Sequence, residues 1–547
     1  MSGADNASAD HTPRWGMVID LNRCVGCQTC TIACKSANDL SPGVQWRSVL
    51  DVEQGEFPNV ERLFLVVGCQ HCANPPCVPV CPSGATRQRV DGLVTMDYDL
   101  CIGCGYCAVA CPYQARTIVQ DEKWYFGDAT VQEHQVHHDD RLGVANKCTF
   151  CIDRIDQAPR QDLTPGLDPA ATPACATSCI TQAIQFGDFN DQDSHVSHMV
   201  AEGDTFQMHQ ELGTDPQIKY LVNTPTVPGR EGEEADTSDE RLGDPANTLV
   251  GTRQKFWDIR AAINFTLGGF GSGFVVMAYL LSQLQPEGWP GHAFLSVYMI
   301  AGAAMMIGLF SVFLEIGRKL RFMLVLLRPQ SSWMSREAYA GAVFFLALIA
   351  ELILQDNVLH MLIALAALAF LYCQARILHA AKGIPAWRVA LMPWMLIGAG
   401  LFEGLGLLFV VGALNSEIVI GPVGPFLGLL LAGANSWQWW LYRKRAKKAN
   451  IPPLARTELA RITPWLHVIG HALPGVLYIA ALTMIGEEPV ALLAVAGVAS
   501  LAGGAIWKYT VIVRASYQQG FALPRLPRRG SGDRTAPGLY GTFQNSP

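Results

Sequence analysis

Four cysteine quartets constrain this chain more than any other feature. Asn22–Cys34 reads NRCVGCQTCTIAC, which places Cys24, Cys27, Cys30 and Cys34 at the spacing C-x2-C-x2-C-x3-C. A second quartet, Cys69, Cys72, Cys77 and Cys81, lies in CQHCANPPCVPVCP. A third, Cys101, Cys104, Cys107 and Cys111, lies in CIGCGYCAVACP. The fourth is Cys148, Cys151, Cys175 and Cys179, with a long insertion after its CxxC. Only Cys373, in the apolar run LAFLYCQARIL, stands apart, as a buried and inert thiol would.

The spacing has a chemical reading. A cubane cluster needs four thiolates converging on one site. A C-x2-C-x2-C loop wraps three corners, and the fourth cysteine begins a helix that points away and reaches a neighbouring cluster. Quartets therefore work in pairs, and four quartets predict four [4Fe–4S] clusters. Disulfides would suit a small exported domain, but the opening MSGADNASADHTPRW has no basic start, apolar core or twin arginine, so no cleavable signal is expected. Structural zinc uses CxxC pairs rather than x2-x2-x3 quartets.

Beyond residue 253 the composition turns apolar. Eight segments, near 261–284, 292–315, 338–355, 358–378, 388–413, 418–442, 464–485 and 488–513, approach the roughly 20 residues that cross a bilayer. One set of connections carries Arg318, Lys319, Arg321, Arg328 and Arg336, then Lys382 and Arg388, then Arg443, Lys444, Arg445, Lys447 and Lys448, and finally Arg514, Arg525, Arg528 and Arg529. The opposite set, near Glu287, Asp356, Glu417 and Glu487–Glu488, has no Lys or Arg. The basic side is therefore expected to be cytoplasmic, with the cysteine-bearing part on that side of an inner (cytoplasmic) membrane. The net charge of −7 does not suggest a nucleic-acid partner.

The expected fold class is an α+β ferredoxin-like four-cluster [4Fe–4S] domain followed by an all-α polytopic membrane domain of eight transmembrane helices. The expected division is a cluster domain over 1–190, a polar linker or arm over 191–252, the membrane anchor over 253–514 and a basic, Pro/Gly-rich tail over 515–547. The stretch GREGEEADTSDERLGDP, rich in acid, Gly and Pro, motivates the linker.

The residues also carry a family resemblance. KCTFCIDR, PACATSCITQAIQFGD and CQHCANPPCVPVCP resemble the iron–sulfur subunit of the dimethyl-sulfoxide-reductase (molybdopterin oxidoreductase) family. FLEIGRKLRF, SSWMSREAYAGAVFF and KYTVIVRASYQQGFALPRLPRRGSG look like that family's multi-helix membrane anchor, here fused to it. The resemblance implies a ligand assignment. Cys24, Cys27 and Cys30 would share a cluster with Cys179, and Cys34 would join Cys148, Cys151 and Cys175. Cys69, Cys72 and Cys77 would take Cys111, and Cys101, Cys104 and Cys107 would take Cys81. The first cluster would lie nearest a catalytic partner and the last nearest the membrane. Some relatives carry Trp in the third quartet and hold a three-iron cluster; Cys104 argues against that here.

A quinone needs proton exchange as well as electrons, which calls for ionisable groups near the membrane boundary. Glu315, Arg321 and Glu337 flank the basic loop after the second apolar segment and are the candidate quinone residues. The resemblance implicates this region in quinol binding, although the position of Glu315 is often His in the family. His467 and His471 in WLHVIGHALP, with His379, could ligate a b-type haem, but the resembled anchors generally lack one and none is expected. No nucleotide-binding loop, nucleophile motif or molybdopterin-binding domain is found.

These observations point to an electron-transfer and membrane-anchor subunit. It would relay electrons between a molybdopterin-containing catalytic partner and the quinone pool, as in cytoplasmic sulfite oxidation. The alternative direction is a quinol-oxidising subunit of a DMSO-type respiratory reductase. A transporter with a redox sensor would need charges buried midway along several helices, and Glu403 is the exception among acids that otherwise sit near segment ends. A free-standing ferredoxin-like module would show no quinone reactivity.

Overall fold

The computed structural model describes residues 11–56, 59–222, 242–285, 289–484 and 489–521. Most of the acidic linker motif, Glu287, Glu487, Glu488, Arg525, Arg528, Arg529 and nearly all of the expected basic tail lie outside these residues.

The cysteine-bearing part is built around a four-stranded sheet. Its first strand, β1 (Trp15–Asp20), is apolar and has Met17, Val18 and Ile19 fully buried. A long hairpin follows, β2 (Arg47–Glu56) and β3 (Asn59–Gly68), then the short pairs β4 (Thr86–Gln88) with β5 (Val94–Met96) and β6 (Thr117–Ile118) with β7 (Ala145–Asn146). Three more strands, β8 (Ile184–Asp188), β9 (Thr205–Phe206) and β10 (Ile218–Leu221), complete the main sheet in the order β8-β1-β10-β9. β1 pairs antiparallel with β8 and parallel with β10. The short helices α1 (Thr29–Ala37), α2 (Tyr106–Ala110), α3 (Val131–Gln135), α4 (Ile152–Gln157), α5 (Ala174–Thr177) and α6 (His195–Glu202) decorate this frame.

β10 corrects the linker reading of 191–252. Ile218, Tyr220 and Leu221 are buried and pair beside β1 at the centre of the sheet, and α6 packs against β1 and β8. The acid-rich composition of the surrounding stretch masks a four-residue strand too short to stand out by periodicity.

Seven helices are long and apolar enough to cross a membrane: α7 (Ile259–Gln283), α8 (Gly291–Glu315), α9 (Trp333–Leu354), α10 (Asn357–Ala380), α11 (Met392–Leu414), α13 (Pro453–Thr483) and α14 (Val490–Arg514). An eighth helix, α12 (Val423–Arg445), has the length, but its second half carries Asn435, Gln438, Arg443, Lys444 and Arg445. The apolar helices therefore number seven among the described residues, where eight spans are expected. α9, the segment expected to be short, starts five residues earlier than expected and reaches 22 residues. α13 widens into a π-helical turn over Leu466–Ala472, flanked by Pro464 and Pro474, neither of which can donate a backbone hydrogen bond.

Helix packing in an apolar medium depends on close backbone approach between small residues. α7 and α11 cross where Gly273 meets the backbone of Gly400 and Gly404, and α11 and α14 cross at Gly406 and Gly497. The second crossing brings Lys508 against Glu403, with Nζ donating to Oε2 at 2.7 Å and both side chains 1% exposed. Glu403 thus has a partner that hydropathy could not supply.

The two halves meet in many polar contacts. Gly103, Gly143 and Gly317 pack backbone to backbone, and the Arg318 amide donates to the Ile102 carbonyl at 3.1 Å. Ser332 donates to the Val80 carbonyl, Tyr106 to the Ile377 carbonyl, and Trp257 to the Cys104 carbonyl. The sites in the two halves therefore have a fixed relation.

Breaking the buried ion pair should be costly. Glu403→Ala strands the Lys508 ammonium and is expected to destabilise the bundle by about 3–5 kcal/mol. The double variant Glu403→Leu/Lys508→Met should recover most of that loss. Thermal unfolding of the detergent-solubilised chain measures both.

Candidate functional site

Each cysteine loop turns through the same unusual backbone conformation. The residue before the second cysteine of every quartet has positive φ: Gly26 at 72°, His71 at 42°, Gly103 at 73° and Phe150 at 56°. Left-handed backbone costs a non-glycine residue about 1–2 kcal/mol, and such strain gathers at functional sites. The turn swings the second cysteine back toward the first. Gln28, Gly105 and Cys151, also left-handed, then launch α1, α2 and α4. The two strained non-glycine residues hold each other, since the His71 and Phe150 rings stack with centroids 3.8 Å apart. The His71 ring accepts from the Val94 amide at Nδ1 and lies 3.0 Å from the Cys148 carbonyl at Nε2. Its neutral form is thereby fixed, and burial together with nearby Lys147 keeps its pKa well below the ordinary value.

These turns gather the sulfurs into four groups. Cys24 and Cys179 face Cys30. Cys148, Cys151 and Cys175 face Cys34. Cys69, Cys77 and Cys111 face Cys72, and Cys81, Cys101 and Cys107 face Cys104. Cys27 is exposed, its sulfur 3.3 Å from the Thr29 hydroxyl. The groups form a row. Cys30 of the first faces Cys175 of the second, Cys148 of the second faces Cys69 of the third, and Cys107 of the fourth faces Cys77 of the third.

The donor set fits a multinuclear cluster better than a single ion. None of the 17 cysteines is in a disulfide. Among the described residues the only group whose ligand atoms all lie within 4.8 Å of one another is Glu122, His137 and Asp139. No three cysteine sulfurs are that close, whereas four thiolates on one zinc at about 2.3 Å would sit about 3.8 Å apart. Burial pushes Cys30 up to about 11 and Cys107, Cys111 and Cys148 to about 12, so these sulfurs need positive charge beside them to be thiolates. Two cations already present have polar atoms without partners among the described residues: Arg47 at Nε and Nη1, and Arg116 at Nη2.

Beneath the fourth group lies an apolar cavity of about 480 Å³. Cys104, Trp257, Asn264, Glu315, Glu337 and Ile377 are among its lining residues. Two of the three expected quinone residues therefore meet at one cavity. Glu337 is buried beside the Asn264 and Gln374 amides, with its Oε1 lacking a hydrogen-bond partner. Glu315 accepts from the Asp258 amide at 3.0 Å. It also borders a second, polar cavity lined by Lys255, Asp258 and Arg260, and so stands between the two. Arg321 is not among the cavity residues; its guanidinium donates to the Tyr98 carbonyl at 2.6 Å and faces Asp99, bracing the third-quartet loop. His467 is engaged with Ser436 at 2.9 Å and shares the π-helical turn with His471, so the two occupy one helix; His379 lies on α10. Asn264, Gln374 and Trp257 escape sequence reading because no motif distinguishes them from packing residues.

The architecture defines a membrane-associated iron–sulfur protein. Residues 60–126 match the 4Fe-4S dicluster domain family. A candidate iron–sulfur subunit of the dimethyl sulfoxide reductase of Halobacterium salinarum is 38% identical over 45% of this chain and 94% of its own length. One subunit of the selenate reductase of Mesobacillus selenatarsenatis is 41% identical over 38% of this chain and 72% of its own length. One subunit of the sulfite dehydrogenase of Allochromatium vinosum is 38% identical over 38% and 83%. The chain belongs to the iron–sulfur subunits of the dimethyl-sulfoxide-reductase (molybdopterin oxidoreductase) family.

Cys30 and Cys34 sit one turn apart on α1 but face different groups. Anaerobically purified protein is expected to hold about sixteen iron atoms at four per cluster. Cys30→Ser and Cys34→Ser should each lose about four, and the double variant about eight, by iron assay.

Proposed function

We propose that this chain is the electron-transfer and membrane-anchor subunit of a molybdopterin oxidoreductase complex. Its sixteen quartet cysteines would hold four [4Fe–4S] clusters in the sets Cys24, Cys27, Cys30 and Cys179; Cys34, Cys148, Cys151 and Cys175; Cys69, Cys72, Cys77 and Cys111; and Cys81, Cys101, Cys104 and Cys107. When bound, such clusters supply one-electron transfer between a partner's cofactor and a quinone. The exposed rim at Cys27, flanked by exposed Val25, Ile32 and Ile180, supports docking of the catalytic partner at the first set.

The observation that carries the reading is the apolar cavity shared by Cys104, Glu337 and Glu315. An apolar ring fits its walls. Glu337 offers a buried carboxyl oxygen with no competing partner, suited to hold a quinone or quinol oxygen. Glu315, bordering both cavities, is suited to exchange protons with the polar one. Arg321 has a supporting part, holding the loop around Cys101 in place.

In this reading α12 is the eighth span. Its packing between α11 and α13 supports that, as does the Lys444 ammonium lying 4.9 Å over the Trp440 ring, an arrangement suited to a membrane boundary. The basic loops favour a cytoplasmic cysteine domain on the inner membrane. Part of that charge also serves docking: Arg318 donates to the Leu142 carbonyl and Arg321 to that of Tyr98. Lys382, Lys447 and Lys448 carry the topological argument without them. A cytoplasmic site suits a dehydrogenase feeding quinone, with sulfite as the leading substrate of the partner. The name of the Mesobacillus relative favours the second reading, a quinol-oxidising reductase subunit.

The carboxylates give the test. Glu337→Gln and Glu315→Gln should each lower quinone-coupled turnover at least tenfold while iron content stays at the wild-type level. Turnover unchanged in both would remove the cavity from the mechanism.

A further inference from the structure

Three cations lie buried among the described residues of the cysteine domain. Arg47 and Lys147 have no exposed surface and Arg116 is 4% exposed. Each stands between successive cysteine groups. The charged neighbours of Arg47 are Cys34, Cys148 and Cys175 of the second group and Cys30 of the first, with Nη2 4.0 Å from the Cys175 sulfur. Lys147 faces Cys148 of the second group and Cys69 and Cys77 of the third. Arg116 faces Cys69, Cys77 and Cys111 of the third and Cys107 of the fourth.

Their own hydrogen bonds are sparse and mostly with neutral groups. Arg47 reaches the Met17 sulfur at 3.3 Å, and Arg116 reaches Thr86 Oγ1 at 3.2 Å and the Met96 sulfur at 2.9 Å. Lys147 donates to the carbonyls of Val94 and Cys148. Arg47 lies opposite Gly68 in the β2–β3 register, and a Cβ there would sit 3.2 Å from Nη1, so the strand leaves room for the guanidinium. A buried, unpaired cation costs several kcal/mol. Four thiolates around an iron–sulfur core leave a net negative charge that grows by one on reduction, which is the partner these cations lack.

We propose that Arg47, Lys147 and Arg116 are built-in counter-charges, one at each junction of the row, and that each raises the reduction potential of the two clusters flanking it. The inference rests on the four-cluster reading above. One electron added to a cluster is one negative charge brought beside a fixed cation, so each cation favours the reduced form of its neighbours. Because the cations sit at junctions, each acts on a pair.

Redox titration of the full chain followed by electron paramagnetic resonance tests this. Arg47→Gln should lower the first two centres, Lys147→Met the middle two and Arg116→Gln the last two. Each should fall at least tenfold in reduced-to-oxidised ratio at fixed ambient potential, about 59 mV for a one-electron couple. Arg47→Lys, which keeps the charge, should retain most of the potential, and the exposed Arg87→Gln should move nothing. Wild-type potentials in the three neutral variants with full iron would overturn the proposal. So would loss of iron from every neutral variant, because the cations would then hold the clusters rather than tune them. A wild-type chain without iron would instead sink the four-cluster reading itself.

Discussion

Everything in this molecule depends on bringing most of sixteen quartet sulfurs into the interior, with Cys27 left at the surface. Burial alone drives those thiols toward the protonated form, as the raised values at Cys30, Cys107, Cys111 and Cys148 record. A protein that buries donors in this way has to supply positive charge next to them. Bound clusters would provide such charge, and Arg47, Lys147 and Arg116 are fixed cations already beside the sulfurs. The same demand shapes the backbone. Left-handed turns at Gly26, His71, Gly103 and Phe150 bend the chain immediately before the second cysteine of each quartet.

The membrane half answers a different demand with the same economy of close contact. Glycine crossings between α7, α11 and α14 let helix backbones touch, and that proximity lets Lys508 reach Glu403 in the bundle interior. Glycine recurs where the halves join, at Gly103, Gly143 and Gly317. Gly103 belongs to both systems. It is the left-handed residue before Cys104 and also the contact point with the membrane helices, so the fourth cysteine group and the apolar cavity are positioned by one backbone turn.

How much of this could be read from the chain follows from the range of each interaction. Cysteine spacing is local, and it announced the quartets; which quartets share ligands came from the resemblance. Apolar runs are local too, and they located every membrane helix within a few residues, apart from the start of α13, which begins eleven residues earlier than expected. What escaped was long-range. Ile218–Leu221 becomes a central strand only because β1 lies open on that side. Arg47, Arg116 and Lys147 read as ordinary surface charges until the fold closes around them. His71 and Phe150 carry no glycine to mark their left-handed turns; only their mutual stacking, across about eighty residues of sequence, explains how the strain is tolerated. Glu315 and Glu337 were visible as acids near segment ends, but Arg321 in the same loop turns toward Tyr98 rather than the cavity, and no pattern in one dimension separates the two outcomes.

Glu315 and Glu337 line one cavity but have different surroundings. Glu337 has apolar walls and two amides for neighbours, and its Oε1 has no hydrogen-bond partner among the described residues. Glu315 accepts a backbone hydrogen bond from Asp258 at the head of α7 and faces the polar cavity that Lys255 and Arg260 line. Glu315, at the end of α8, borders both cavities. Trp257, one residue from Asp258, donates to the Cys104 carbonyl at 3.0 Å. Trp257 and Asp258, at the start of one helix, thus tie the third-quartet loop and Glu315 to a common backbone beside the apolar cavity, and a shift in either would disturb the other.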